Sequence, residues 1–262
     1  TFAVAAEGAK DLAQQGLGAE ETLNRLKAAL ILTRISGQDV HEVITDLTAT
    51  LSNFSKEGLT AMDVTNRLAA ASSSFAVSAK DINEALKSVG STAQDAGVNF
   101  NQLVALITSL KQVTGRDAGT IGSALNAIFT REQRGGMVDE LKQLNIQISQ
   151  SANGIQILQA IADQYNKLGN NQAAKGKLES LLGGIYQGNQ LKAVLSDISS
   201  QYGYYNAALN KVNNSTDDAI KRNDALNQSF EALKTSVGDS FTQLFSKVGS
   251  TTVLQPLTSV IK

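Results

Sequence analysis

The sequence predicts an all-α protein: a bundle of short antiparallel helices followed by one long amphipathic, coiled-coil-like helix. Three observations lead there. Apolar residues recur at three- and four-residue spacing along nearly the whole chain, the pattern of helices with one buried face. A single proline, Pro256, stands in 262 residues. The apolar inventory, 42% of the chain, is mostly Ala, Leu, Ile and Val, with no Trp and only 5% aromatics, which suits closely packed helices. A chain of this length can bury a sizeable core in one large domain or two smaller ones.

Taken in order, the first strong element is "DVHEVITDLTATLSNF", where Val40, Val43, Ile44, Leu47, Leu51 and Phe54 share one helix face. Ser36 or Asp39 can accept from its free first-turn N–H groups, and Gly58 sits where a C-terminus is expected. The same grammar repeats. Thr60 precedes "AMDVTNRLAAASSSF", Ser78 precedes "AKDINEALKSVGSTAQDAG", and Asn99 precedes "FNQLVALITSLKQVTG". Ser78 with Asp81 and Asn99 with Gln102 have the reciprocal N-cap spacing, and Gly97 and Gly115 close their helices. Phe100, Leu103, Leu106, Ile107, Leu110 and Val113 form an apolar stripe. From "REQRGGM" to "NNQAAKG" the texture loosens, with Gly135, Gly136, Gly154 and Gly169 dividing helices around "MVDELKQLNI" and "IQILQAIADQYNKL". There "LNIQI" reads as a brief strand or an extended connection.

After Gln201 turn signals thin out. Leu209, Val212, Thr216, Ala219, Asn223, Leu226, Phe230, Leu233 and Val237 follow one another at alternating steps of three and four, a heptad seam, before a four-residue step to Phe241 breaks it as a stutter. One helix of about forty residues, running on past Leu244 and Val248, is expected from that regularity. It either lies on its own domain or self-associates, with Asn223 setting register. The division that follows is a helical core over 1–200, the seam helix over 201–250, and a tail or linker over 251–262. The chain begins with Thr and has no signal-peptide pattern, so it reads as an internal piece of something longer.

Composition narrows the chemistry. A net charge of -1 leaves no basic face of the kind that phosphate-backbone binders carry, so sequence-specific nucleic-acid binding is not expected. Cysteine is absent, which removes disulfides, thiolate catalysis and sulfur-ligated zinc. The one histidine, His41, reads as a surface or capping residue rather than a ligand. No stretch approaches the roughly 18 apolar residues of a membrane span; "AALILTRI" is cut by Thr33 and Arg34.

The segment "GRDAGTIGSALNAIFTR" invites comparison with a phosphate-cradling loop. It fails: no Lys follows Gly122, and an apolar helix stripe rather than a strand precedes Gly115. "LLGGIYQGNQ" lacks the phosphate lysine too. Close helix packing is the better reading of both. The carboxylate pairs Glu20/Glu21 and Asp217/Asp218 are adjacent in sequence, so on a helix they diverge by about 100° and cannot flank a sugar. Nothing in the sequence selects separated pairs such as Glu132 and Asp139. No catalytic residue, cofactor site or metal site is therefore expected, and the chain reads as non-enzymatic.

Read in order, "VTNRLAAASSSFAVSAKDINEALKSVGSTAQDAGVNFNQLVALITSLKQVTGRDAGTIGSALNAIF" resembles the core region of phage tail tape measure proteins. That family shows a small-residue helix, then "S..D..EALK..G..A..AG", a further helix and "G..AGTALK". Here the pattern stands as Ser78, Asp81, Glu84, Ala85, Leu86, Lys87, Gly90, Ala96 and Gly97, then Ala118, Gly119, Gly122, Ala124 and Leu125, with Asn126 where Lys is usual. "LESLLGGIYQGNQLKAVLSD", holding Gly183, Gly184 and Gly188, and the closing "NDALNQSFEALKTSVGDSFTQLFSKV" are similar to later family segments. The resemblance runs from about Leu59 to Val248 and is weaker over "LAQQGLGAEE".

The resemblance implies a structural protein of a phage tail that sets tail length, scaffolds tube assembly and leaves ahead of the DNA. It implies self-association, as a trimer by family analogy, and contacts with tail tube, tail tip or baseplate, an assembly chaperone and the host envelope. The expected location is the tail lumen or tip, after assembly in the host cytoplasm. Gly90, Gly97, Gly115, Gly119, Gly122, Ala124, Leu125, Gly183, Gly184 and Gly188 are then packing positions. The alternatives are a membrane-active, pore-forming helical protein whose amphipathic segments insert into bilayers, and a tail protein associated with peptidoglycan hydrolysis.

Overall fold

Side chains placed just before apolar runs start most of the helices. The computed structural model describes residues 2–182, 188–201 and 203–229, and among them there is no strand. The helices are α1 (Phe2–Ala13), α2 (Ala19–Ser36), α3 (Val40–Asn53), α4 (Ala61–Ser74), α5 (Ala79–Asp95) and α6 (Phe100–Thr114). After them come α7 (Ala118–Glu132), α8 (Met137–Gln143), α9 (Gly154–Lys167), α10 (Gln172–Leu182), α11 (Gly188–Ile198) and α12 (Tyr204–Asn213). The N-cap of α4 is Thr60, of α5 Ser78, of α6 Asn99 and of α9 Asn153. Each forms a reciprocal box with the residue three on, which satisfies two donors the helix leaves free. Asp39 caps α3 and Asp117 caps α7. Gly37 and Gly115 end α2 and α6 in the left-handed region, as does Gly97 just beyond α5. Gly58 closes a single 3-10 turn, Ser55–Glu57, that follows α3.

Two compact units divide the chain, Thr1–Ile220 and Lys221–Lys262. In the first, α5 packs most extensively on α7, α6 on α12, α2 on α4 and α9 on α11, while α1 rests on α2 and α3. The innermost helix is α6: every residue from Leu103 to Leu110 is buried, so it is enclosed on all sides rather than on one face. Phe54 meets Phe100 edge to face at 5.4 Å, and the Arg67 guanidinium lies 5.8 Å from the Phe100 ring centre. "LNIQI" is an extended connection, with Ile146 buried and Asn145 in the left-handed region.

The single forty-residue helix expected after Gln201 is not what forms. α12 stops at Asn213, residues 214–217 turn, and helix resumes over 218–229. Local hydrogen bonds make the break. Asn210 O still accepts the Asn214 N–H at 3.1 Å, joined by the Asn214 side-chain amide at 2.8 Å. Val212 O, however, takes the Ser215 N–H at 3.2 Å and hydroxyl at 2.8 Å, while the Thr216 N–H that a continuing helix would send there goes to Asp218 at 3.3 Å. Asn66 on α4 then accepts the Ala219 N–H at 3.0 Å, and Lys211 pairs with Asp218 across the turn at 3.0 Å.

Candidate functional site

Of the small-residue positions singled out by the sequence, Gly90 and Gly122 stand at close helix crossings, the latter where α5 meets α7. A Cβ at Gly122 would stand 2.7 Å from Ala85 O and 3.0 Å from Ala85 Cα, so only glycine lets the two backbones touch. Ala85, Ala124 and Leu125 are fully buried. Asn126, where the resembling family carries Lys, instead accepts from the Thr92 hydroxyl of α5 at 2.7 Å. Gly90 lets α5 approach α3, since a Cβ there would lie 2.8 Å from Asn53 Nδ2. Gly119 has ordinary neighbours, with Asp117 Oδ1 at 3.5 Å and Glu84 Oε1 at 3.6 Å from its Cβ position. Gly115 meets nothing, and its left-handed backbone is its reason. Gly188 opens α11, while Gly183 and Gly184 lie outside the described residues.

The glycine segment cannot cradle a phosphate in this arrangement. Asp117 occupies the N-cap of α7, and its carboxylate accepts Thr120 N–H at 2.8 Å and the Thr120 hydroxyl at 2.5 Å. Those hydrogen bonds, the side-chain one foremost, hold the Asp117 carboxyl below its ordinary range, so a negative charge already fills the place an anion would take.

Lys87 of the motif "EALK" ties α5 to α3, reaching Glu42 at 3.0 Å and the buried Asp46 at 3.1 Å. Gln38 donates to Asp46 at 3.2 Å and accepts from Asn83 at 3.0 Å, completing a buried polar bridge. His41 is exposed, just inside the α3 cap, with its ring between Asp11 and Glu7 of α1. The hydrogen bond to Asp11, then that residue's charge, raises the imidazole pKa.

Of the proposed seam, Val212 and Ala219 are buried within the first unit and Leu209 is half-buried. Thr216 falls in the turn, Asn223 is half-buried and Leu226 is 37% exposed. Phe230, Leu233 and Val237, like Phe241, Leu244 and Val248, lie outside the described residues. The first half of the spacing therefore serves the chain's own core.

Two carboxylates stand out that the sequence did not select. Asp197 is buried at the end of α11, where it accepts from the Ser109 hydroxyl at 2.5 Å, Tyr204 N–H at 2.8 Å and Tyr205 N–H at 2.7 Å, so one side chain joins α6, α11 and the start of α12. The polar run "DISSQYGYY" is the signal that marks this junction. Glu132 is buried at the end of α7, and both of its carboxyl oxygens lack a partner. Burial pushes its pKa well above the usual carboxylate range. Glu132 and Asp139 do line one pocket of about 230 Å³, but the Glu132 oxygens are sealed from solvent and cannot reach a sugar there. Among the described residues no group of three His, Cys, Asp or Glu side chains is placed to hold a metal, and no helix is long and apolar enough to cross a membrane.

No solved structure matches the chain. The sequence profile of the phage-related minor tail protein family matches residues 1–183, which takes in α1 to α10, including the first helices where the resemblance read from the sequence was weaker. This match covers most of the chain, and the protein belongs to the phage-related minor tail protein family, a structural component of the phage tail.

Proposed function

We propose that the chain is a segment of a tail tape measure protein, which sets tail length while the tube assembles and is released as DNA is ejected. The order of the motif residues from Ser78 to Leu125 carries this reading, within a chain of the minor tail protein family. The packing supports it: Gly90 and Gly122 sit at the α3–α5 and α5–α7 contacts, and Ala124 and Leu125 are fully buried, so these motif positions serve helix packing. A near-neutral chain suits a part that must slide out of a tube. In this role its partners are further copies of itself, tube and tip or baseplate proteins, an assembly chaperone and, at ejection, the host envelope.

Duplicating residues 1–220 in frame within the parent gene tests the length-setting role, because one intact unit remains to support assembly. Electron microscopy should show longer tails of normal diameter. The gain should not exceed about 330 Å, the span of those residues as one continuous helix at ~1.5 Å each. Tails of unchanged length would overturn the tape measure assignment while leaving the family membership intact.

A further inference from the structure

Three helix ends meet at one place in the first unit. α5 delivers Thr92, Ala96 and Gly97, α7 ends on Glu132, and α9 begins at Gly154. Gly154 N–H donates to Ala96 O at 2.8 Å, and Gln133 Nε2 donates to Thr92 O at 3.1 Å. A Cβ at Gly97 would come within 3.2 Å of Asn153 Cβ. Backbone meets backbone between α5 and α9, and side chains of α7 close the third side.

Into this junction goes the Glu132 carboxyl. The residue is 5% exposed, and neither oxygen has a hydrogen-bond partner or more than a trace of solvent contact. Oε2 lies 2.8 Å, and the Phe129 ring 3.0 Å, from the point where a Cβ on Gly154 would stand. No charge compensates it. Arg134 shares the pocket wall but is held by Glu140, and Asp139 on the same wall lies 3.4 Å from Lys142. The first turn of α9, from Asn153 to Gln156, carries no charged side chain, and Asp95 at the end of α5 is exposed. A carboxylate ion at this spot would have neither water nor a partner, whereas the neutral acid tolerates it.

We propose that Glu132 makes the α5–α7–α9 junction a proton-operated latch, shut while the carboxyl keeps its proton and opening at the α7–α9 contact when the proton passes to solvent. The neighbouring chain supplies the slack. Gly136 has φ +86°, Asn145 has φ +62°, and residues 144–153 between α8 and α9 are non-helical. The rest of α9 stays on α11. This inference is independent of the tape measure reading.

The sign follows from linkage. In the open state the carboxyl titrates near its ordinary value of about 4.5, and in the closed state well above it. Between those two values the closed state binds more protons, so each pH unit upward favours opening by up to about tenfold. Below about 4.5 the dependence vanishes.

Hydrogen exchange of the full 262-residue chain from pH 4 to pH 8, read by mass spectrometry as protection relative to an unstructured peptide at each pH, tests the latch. Protection of a peptide spanning the start of α9 should fall by up to about tenfold per pH unit above 4.5, while that of α6 stays constant. Glu132→Gln, which copies the shape of the neutral acid, should remove the slope, and Glu132→Met serves as a second uncharged variant. A flat wild-type profile, an unchanged slope in the uncharged variants, or a parallel fall in α6 would each overturn the proposal.

Discussion

A methyl group at position 122 would press on the carbonyl oxygen and Cα of Ala85, backbone atoms that cannot swing aside as a side chain can. Gly122→Ala is therefore expected to lower unfolding free energy by about 1–3 kcal/mol, the usual cost of overpacking a tight contact. Gly119→Ala, three residues earlier with neighbours no closer than 3.5 Å, should instead be neutral or stabilising by about 0.4–1 kcal/mol through the unfolded chain. Urea midpoints for the two variants check the contrast, and equal losses would refute it. Reading "AGTIG" alone cannot separate these glycines. What separates them is Ala85, which stands far away in sequence and faces only one of the two. Glu132 and Asp197 are hidden for the same reason, because burial of a carboxylate depends on what folds over it.

At the scale of helices, starts were legible and one continuation was not. Thr60, Ser78 and Asn99 announce α4, α5 and α6 because a capping box is a relation between residues three apart, complete within the local chain. The break after Asn213 was invisible to heptad spacing, since a period says which residues share a face and not whether the backbone between them stays helical. There Ser215 takes the Val212 carbonyl locally, and Asn66 of α4 rewards the turn from a distance. The caps also set an acid response. Partial burial would raise the Asp63 and Asp81 carboxyls, but hydrogen bonds from Thr60 and Ser78, joined at Asp81 by Lys111, outweigh it and hold both below their ordinary range. Both thus add stability above the ordinary carboxylate value, and that stability drains as pH falls through their lowered values. Asp63→Asn with Asp81→Asn should cost stability at pH 7 and shrink the loss between pH 5 and pH 2; an unchanged acid limb in thermal melts would contradict this.

For the whole molecule, the family match ends at residue 183 but the first compact unit continues to Ile220. α11 and α12 cover α6, and Asp197 pins them to Ser109. A fragment of residues 1–220 should accordingly melt in one cooperative transition. A fragment of residues 1–183 should bind a hydrophobic dye and melt broadly, as packing without its cover would; matching sharp melts would show that α11 and α12 are dispensable. The all-helical character was legible because it is summed over many local signals. Which helix lies innermost was not, because the contacts that enclose α6 join residues as distant as Asn101 and Asn213. That separation matters in time as well as in space. At translation speeds of about 5–20 residues per second, the ribosome needs roughly 5–20 s to pass from the end of α6 to the end of α12. For that interval a helix destined to be enclosed on all sides has been made and its roof has not.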